Sequence, residues 1–298
     1  MSASSIGRPA SLENQSAVWG MAEAEPGFWR RYAQDFWGMV GLVVMVVITL
    51  SAIFAPVISP YDPVKPNFGA IRQAPNALHW LGTDAAGMDI LSRLIYGGQV
   101  SISVAAVAVL ISTTLGVVIG LVSGYYGGWL DVVLQRITEV FMSVPTLLLM
   151  IILAVVLGPS LINAMLVIGV FGWTTLSRLM RAQALAIKER EFIVAARAIG
   201  CRERWIIFVE ILPNSLGPLI VNAVYSLRGA ILAEASLSFL GVGVPPPTPS
   251  WGNMVTFATQ IAYLESMPWA WIPPAIMLIV VIVAIGFVGD ALARAFRR

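Results

Sequence analysis

MVGLVVMVVITLSAIFAPVI, from Met39 to Ile58, runs twenty residues without one charged side chain. A bilayer core about 30 Å thick is crossed by about 20 mostly apolar residues in a helix, so this stretch is long enough to span. The Pro-rich SPYDPVKP that follows stops it. Five further runs read the same way: about Val100 to Ser123, Val132 to Leu157, Leu161 to Met180, Leu216 to Leu240, and Ile272 to Val288. In lipid an isolated strand leaves its backbone groups unsatisfied, whereas a helix closes its own hydrogen bonds. The reading is therefore an all-α integral membrane protein with six transmembrane helices.

Composition agrees. Of 298 residues, 58% are hydrophobic and 11% charged, with a mean hydropathy of +0.83. A soluble domain carries about 25% charged residues, and there is too little charge here to clothe one. A net charge of +2 points to no nucleic-acid partner. The single cysteine, Cys201, excludes an internal disulfide and a cysteine-based metal site. His79 is likewise alone, and a structural or solvent-facing role is expected of it. No span carries a paired Asp, Glu or His set suited to acid–base or metal chemistry, so no catalytic residue and no metal site are expected.

The Lys and Arg residues set the orientation, because cytoplasmic segments carry the excess. With the N-terminus inside, the inner segments hold Arg8, Arg30 and Arg31. They also hold Arg178, Arg181, Lys188, Arg190, Arg197, Arg202 and Arg204, then Arg294, Arg297 and Arg298. The outer segments hold only Lys65, Arg72 and Arg93, with Arg136 and Arg228 in or beside spans. Both termini are expected in the cytoplasm. The chain divides into a flexible N-terminus (1–25), an interfacial helix (26–38) containing FWRRYAQDFW, and a first span with its external loop (39–99). A core of five spans (100–292) and a short tail (293–298) follow. No cleavable signal peptide is visible before the first span.

Two features mark the spans. Gly116, Gly120, Gly124 and Gly128 recur every fourth residue, which places small residues on one helical face for close packing. Pro145 removes a backbone donor inside the third span, and a kink is expected there. Arg228 lies about twelve residues into the fifth span. A charge at that depth costs at least about 2.5 kcal/mol by insertion scales, so it should face protein or a water-filled path, either lining a route for a solute carboxylate or forming a structural ion pair. Glu234 is six residues away, on another face of the same helix, and reads as structural.

The cytoplasmic loop 181–213 holds LAIKEREFIVAARAIGCRERWIIFVEILPN, from Leu185 to Asn214. Residues 189–199 are good helix formers, Gly200 is a terminator, and a second short helix over 202–210 leads to Pro213. Its spacing resembles the coupling motif of binding-protein-dependent ABC importer permeases: Glu-Ala-Ala, three residues, Gly, nine residues, Ile-x-Leu-Pro. Ala195, Ala196, Gly200, Leu212 and Pro213 fall on that pattern; Val194 replaces its Glu and Glu210 its Ile. HWLGTDAAGMDILSRLIYGGQVSISVA (79–105), GYYGGWLDVVLQR, ILAEASLSFLGVGVPPPTPSWG and GFVGDALARAF are similar to dipeptide, oligopeptide and nickel permeases, with Met88 where their pattern has Arg. Over about residues 26–298 the order of features resembles the dipeptide-permease C type.

The resemblance implies a type I ABC importer permease fold in the bacterial inner membrane, with a cytoplasmic coupling helix. It implies a second related permease subunit, two ATPase subunits, and an external substrate-binding protein that delivers dipeptides, oligopeptides or similar small solutes. Glu191, Phe192, Ala195, Ala196, Arg197 and Gly200 would form the contact with one ATPase. The chain has no Gly-x-x-x-x-Gly-Lys-Ser/Thr loop, and its only lysines are Lys65 and Lys188. No cofactor is expected in this chain; ATP and Mg belong to the ATPase subunits. The competing reading, a self-contained secondary transporter or channel, would call for an inverted repeat or an interrupted helix pair, and none is obvious.

Overall fold

A computed structural model describes residues 28–296; the N-terminal segment 1–25, expected to be flexible, lies outside the described residues. Twelve helices carry the architecture: α1 (Phe28–Ala33), α2 (Phe36–Ile53), α3 (Ile90–Tyr126), α4 (Gly128–Ser143), α5 (Thr146–Leu157), α6 (Leu161–Phe171), α7 (Thr174–Ile187), α8 (Glu191–Ala198), α9 (Leu216–Phe239), α10 (Trp251–Val255), α11 (Ile261–Ser266) and α12 (Pro268–Phe296). Among the described residues there is no strand, only an isolated bridge between Thr83 and Asp89. Five continuous apolar segments are long enough to cross a membrane: α2, α3, α6 with α7, α9 and α12. The bent pair α4 and α5 is long and apolar enough when its halves are taken together, which makes six where the pair is one span.

The interfacial helix expected over 26–38 is shorter, because Asp35 cuts it. Asp35 is extended and accepts from the Gly38 N–H at 3.0 Å, which caps α2. It also receives the Arg294 Nε of α12 at 2.6 Å, and Phe28 stacks on Phe296. Thus α1 is folded back on the end of α12 while Trp29 stays exposed. The Gly38 N–H, helped by Arg294 and opposed by burial, holds the Asp35 carboxyl below the usual carboxylate range. Its contribution is present above the unfolded-state value and is lost as pH falls through the lower folded one.

Helix α3 is much longer than the expected Val100–Ser123. Asp89 caps it by accepting from the Ser92 N–H at 2.8 Å, so residues 90–99, expected in the external loop, are its first turns. Its 37 residues span about 55 Å at about 1.5 Å each, well beyond the bilayer core. The external loop folds over this extension. His79 is buried with Nδ1 2.9 Å from Asp89, Asp84 accepts from the Ala86 and Met88 amides, and Arg93 donates to the carbonyls of Pro63 and Pro247 at 2.8 and 3.3 Å. The role of His79 is structural.

Three of the four glycines do what their spacing requires. A Cβ at Gly116 would meet Leu176 Cβ at 2.9 Å and the Trp173 carbonyl at 3.0 Å. At Gly120 it would overlap the Ser177 carbonyl, and at Gly124 the Arg181 carbonyl at 2.6 Å. The glycine face of α3 therefore lies on the backbone of α7, inside the same chain. Gly128 departs from the row: Gly127 breaks the helix at φ +66°, and Gly128 opens α4 with nothing near it.

Pro145 does more than kink the third span. Val144 before it is extended at φ −107°, ψ 138°, the conformation proline imposes on its predecessor. The carbonyl of Pro145 then begins α5. The two halves meet at 84°. The last span is also longer than expected, reaching from Pro268 to Phe296 and absorbing much of the proposed tail.

Gly120→Ala should lower the thermal unfolding midpoint of the purified protein, by an overpacking cost of about 1–3 kcal/mol. Gly229→Ala, on α9 with nothing within 4 Å of the new methyl group, should leave it unchanged or slightly raised. Equal effects at the two positions would contradict the α3–α7 contact.

Candidate functional site: the segment between α7 and α9

Helix α8 is eight residues long and stands between two bends. Arg190 before it is extended. After it, the Gly200 N–H bonds the Arg197 carbonyl and the Cys201 N–H bonds the Ala196 carbonyl, both at 3.1 Å. With Gly200 at φ +82°, this is the paired-bond helix stop that favours glycine. The expected helix 189–199 is thus trimmed at both ends, with its terminator where it was placed.

Helix α8 is seated by one buried apolar side chain, and Arg197 adds a contact over Tyr125 of α3. Ile193 is fully buried at 0% exposure and enters a cluster formed by Leu121 and Tyr125 of α3, Met180, Ala184 and Ile187 of α7, and Ile206, Ile207 and Ile211. Ala196 packs partly against it. Glu191, Phe192, Ala195 and Arg197 are exposed, as are Val194 and Ile199, the latter at 81%. Of the expected contact residues, all but Ala196 therefore lie open, and sequence reasoning missed Ile193. Val194 also lies on the open side, so an acid at that position would face outward rather than pair within this chain.

Basic groups gather where α3 ends. Lys188 Nζ donates to the Gly124 carbonyl at 3.0 Å, and the Arg197 guanidinium lies 5.7 Å over the Tyr125 ring. Arg181 grips Asp131 of α4 through two bonds of 2.7 and 2.6 Å. Cations at a helix C-terminus meet its unsatisfied carbonyls and the negative end of its dipole. Charges from the basic segment thus tie α3, α4, α7 and α8 together.

Between α8 and α9 the expected helix over 202–210 is a single turn, Glu203–Trp205, followed by a wider π turn over Ile206–Ile211. Pro213 explains the widening. Its ring would collide with the carbonyl four residues back in an ordinary α-helix, and the wider turn lets Leu212 N–H reach Ile207 O instead. The π turn sends Ile206, Ile207 and Ile211 inward and leaves Phe208 and Val209 exposed.

Arg228 is exposed on α9, and a methyl group at Gly286 of α12 would stand 3.8 Å from it. Among the described residues it makes no ion pair. Glu234 is fully buried and receives the hydroxyls of Ser101 and Ser238, each at 2.8 Å. The two charges are not partners in this chain.

Residues 116–298 match the family described as binding-protein-dependent transport system inner membrane component, and residues 27–75 match the N-terminal TM domain of oligopeptide transport permease C. The chain is 38% identical over 266 residues to a putative peptide permease protein of Brucella suis biovar 1, covering 89% of this chain and 88% of that one. It is 38% identical to the dipeptide transport system permease protein DppC of Alkalihalophilus pseudofirmus, over 86% and 84% of the two chains. It is 35% identical to the oligopeptide transport system permease protein OppC of Bacillus subtilis, over 89% and 86%. A chain of the inward-facing MetNI methionine ABC transporter superposes with a TM-score of 0.57 at 20% identity, covering 70% of this chain and 98% of that one. The last likeness is one of fold.

Ile193→Ala should cost about 2–5 kcal/mol locally. Amide hydrogen exchange over 191–201 should quicken while that of α2 and α12 stays as in the parent protein. Unchanged exchange in the segment would mean that α8 is held by something other than Ile193.

Proposed function

The chain belongs to the binding-protein-dependent transport system inner membrane component family, a permease subunit of an ABC importer, and from that membership we propose that its cargo is short peptides. The family implies ATPase and substrate-binding partners. We take two ATPase subunits, one of which seats the open face of α8 through Glu191, Phe192, Ala195, Ala196, Arg197 and Gly200. A second related permease completes the pathway, and both termini lie in the cytoplasm. ATP and Mg belong to the ATPase subunits, and this chain is read as having no catalytic residue of its own.

The observation that carries the reading is the way α8 is mounted. It is a short exposed helix, stopped at both ends and fixed through a single buried side chain to the inner ends of α3 and α7 and to the turn that leads into α9. A partner that closes on its open face would push Ile193, and through Ile206, Ile207 and Ile211 would move the foot of α9. That is the geometry a permease needs to convert ATPase closure into movement of a span.

Arg228 bears on the cargo. An arginine exposed on its own chain at mid-span requires a water-filled or protein neighbour. Between two permease subunits it would offer a bidentate partner to a carboxylate. Peptides with a free C-terminus supply one, as do glutathione and opines; a nickel chelate would have to bring its own.

The test is a complex of this chain with its second permease, ATPase and binding-protein subunits in lipid. ATP hydrolysis should rise when binding protein loaded with a dipeptide is added. Failure to associate with any ATPase would overturn the importer reading in favour of a secondary transporter. A complex that hydrolyses ATP yet answers to no peptide would move the cargo to another class. Arg228→Gln, in a normally assembled complex, should reduce uptake of a free-carboxylate dipeptide on the order of tenfold, about 1.4 kcal/mol, and leave basal hydrolysis alone. Uptake at the parent rate and affinity would remove Arg228 from the pathway.

A further inference from the structure

Glu234 is the one carboxylate buried at 0% exposure among the described residues, and no Lys, Arg or His forms an ion pair with it. A charge so placed in a span is costly, and what surrounds it defines what it does. Oε2 accepts the hydroxyl of Ser101 on α3 at 2.8 Å, and Oε1 accepts that of Ser238, one turn along α9, at 2.8 Å. Each of these hydroxyl oxygens is itself approached by a backbone amide of the external segment: Trp251 N–H reaches Ser101 at 3.2 Å, and Val244 N–H reaches Ser238 at 3.1 Å. An amide N–H can only donate, so each hydroxyl accepts from the external segment and its proton is free to be given to Glu234, as the two 2.8 Å bonds have it.

The five residues join three parts of the chain. Ser101 stands on α3, Glu234 and Ser238 stand on α9, and Val244 and Trp251 belong to the external segment between α9 and α12. The segment is seated close: Trp251 Nε1 donates to the Leu94 carbonyl at 3.0 Å, a methyl group at Gly98 would stand 2.9 Å from the Trp251 ring, and one at Gly252 would stand 2.6 Å from the Ala235 backbone. Ser250 and Asn253 cap α10 reciprocally, so the segment meets the spans as a preformed turn.

We propose that Glu234 is a positioning residue that ties the external segment 244–255 to α9 and passes its movement to the span that carries Arg228. This rests on the importer reading, in which a binding protein presses on the external face. When that segment shifts, the Val244 and Trp251 amides pull on the two hydroxyls, and both pulls converge on one side chain of α9. Ser101 anchors the same carboxylate to α3, so α9 responds relative to a fixed neighbour.

The test uses the full complex in lipid, comparing basal ATP hydrolysis with hydrolysis in the presence of binding protein loaded with dialanine. Glu234→Gln keeps the shape but turns one acceptor into a donor, and Ser101→Ala removes one arm. Both variants should assemble in the parental subunit ratio with parental basal hydrolysis. Their stimulation by loaded binding protein should fall on the order of tenfold, equivalent to about 1.4 kcal/mol. The double variant should lose no more than Glu234→Gln alone, because both changes act through one carboxylate. Full stimulation in Glu234→Gln would overturn the proposal and leave the importer reading standing. So would a parallel loss of assembly, basal and stimulated hydrolysis in both single variants, which would make Glu234 a fold support only. If the parent complex itself shows no stimulation, the peptide reading fails and the proposal falls with it.

Discussion

The close approach of α3 to α7 at Gly116, Gly120 and Gly124 is the contact on which the seat of α8 depends. Between helices in lipid no hydrophobic force acts, since the tails are as apolar as the side chains, and association comes from close packing and polar contacts. Glycine on one helix meeting carbonyls and small atoms on the other supplies that packing. With α7 fixed so near, Arg181 reaches Asp131, Lys188 reaches the end of α3, and Met180, Ala184 and Ile187 form three sides of the seat for Ile193. Without that approach α8 would have no socket, and a push on its open face would move nothing else.

Much of this was legible in the sequence because membranes impose simple rules. Apolar runs of span length had to be helices, basic residues marked one side, and glycines at every fourth position had to mark a contact. Gly200 ended α8 as its type demands. What the sequence did not disclose is where polar side chains overrule the hydropathy of a run. Asp35 and Asp89 capped helices where runs alone put an interfacial helix and a loop, and α3 gained ten residues because Asp89 can accept from Ser92. Val144-Pro145 divided a span because proline constrains its predecessor as well as itself. Ile193 escaped notice for a plainer reason. In an eight-residue amphipathic segment any of several apolar residues can face inward, and only the positions of α3 and α7 decide which.

The two ends of the molecule are built on opposite principles. At the end that carries α8 an apolar plug joins the elements, while its charges lie at the rim. At the external end directional bonds do the joining: His79 with Asp89, Asp84 with the turn before α3, Arg93 with two carbonyls, and Trp251 with Leu94. Hydrogen bonds prescribe angle as well as distance, so the external segment is held in one register. A plug of isoleucines tolerates sliding at small cost, since dispersion contacts are many and individually weak. The two ends therefore differ in kind, one held through apolar packing and the other through hydrogen bonds of set direction.

Helix α9 joins the two, and its charges explain how it can. Arg228 and Glu234 are six residues apart, which at about 100° per residue puts them on well-separated faces. Glu234 looks inward and is held by α3 and its own next turn; Arg228 is exposed, with its guanidinium close to Gly286 of α12. The helix is therefore held at Glu234 near one end and, through the Tyr225 hydroxyl bonded to Asp290 of α12, near its middle, with Arg228 on the exposed side. Its foot joins the widened turn before Pro213, where the backbone has already given up regular α geometry. Arg228 lies between that irregular foot and the hold at Glu234, six residues from the carboxylate, on the exposed side of the helix.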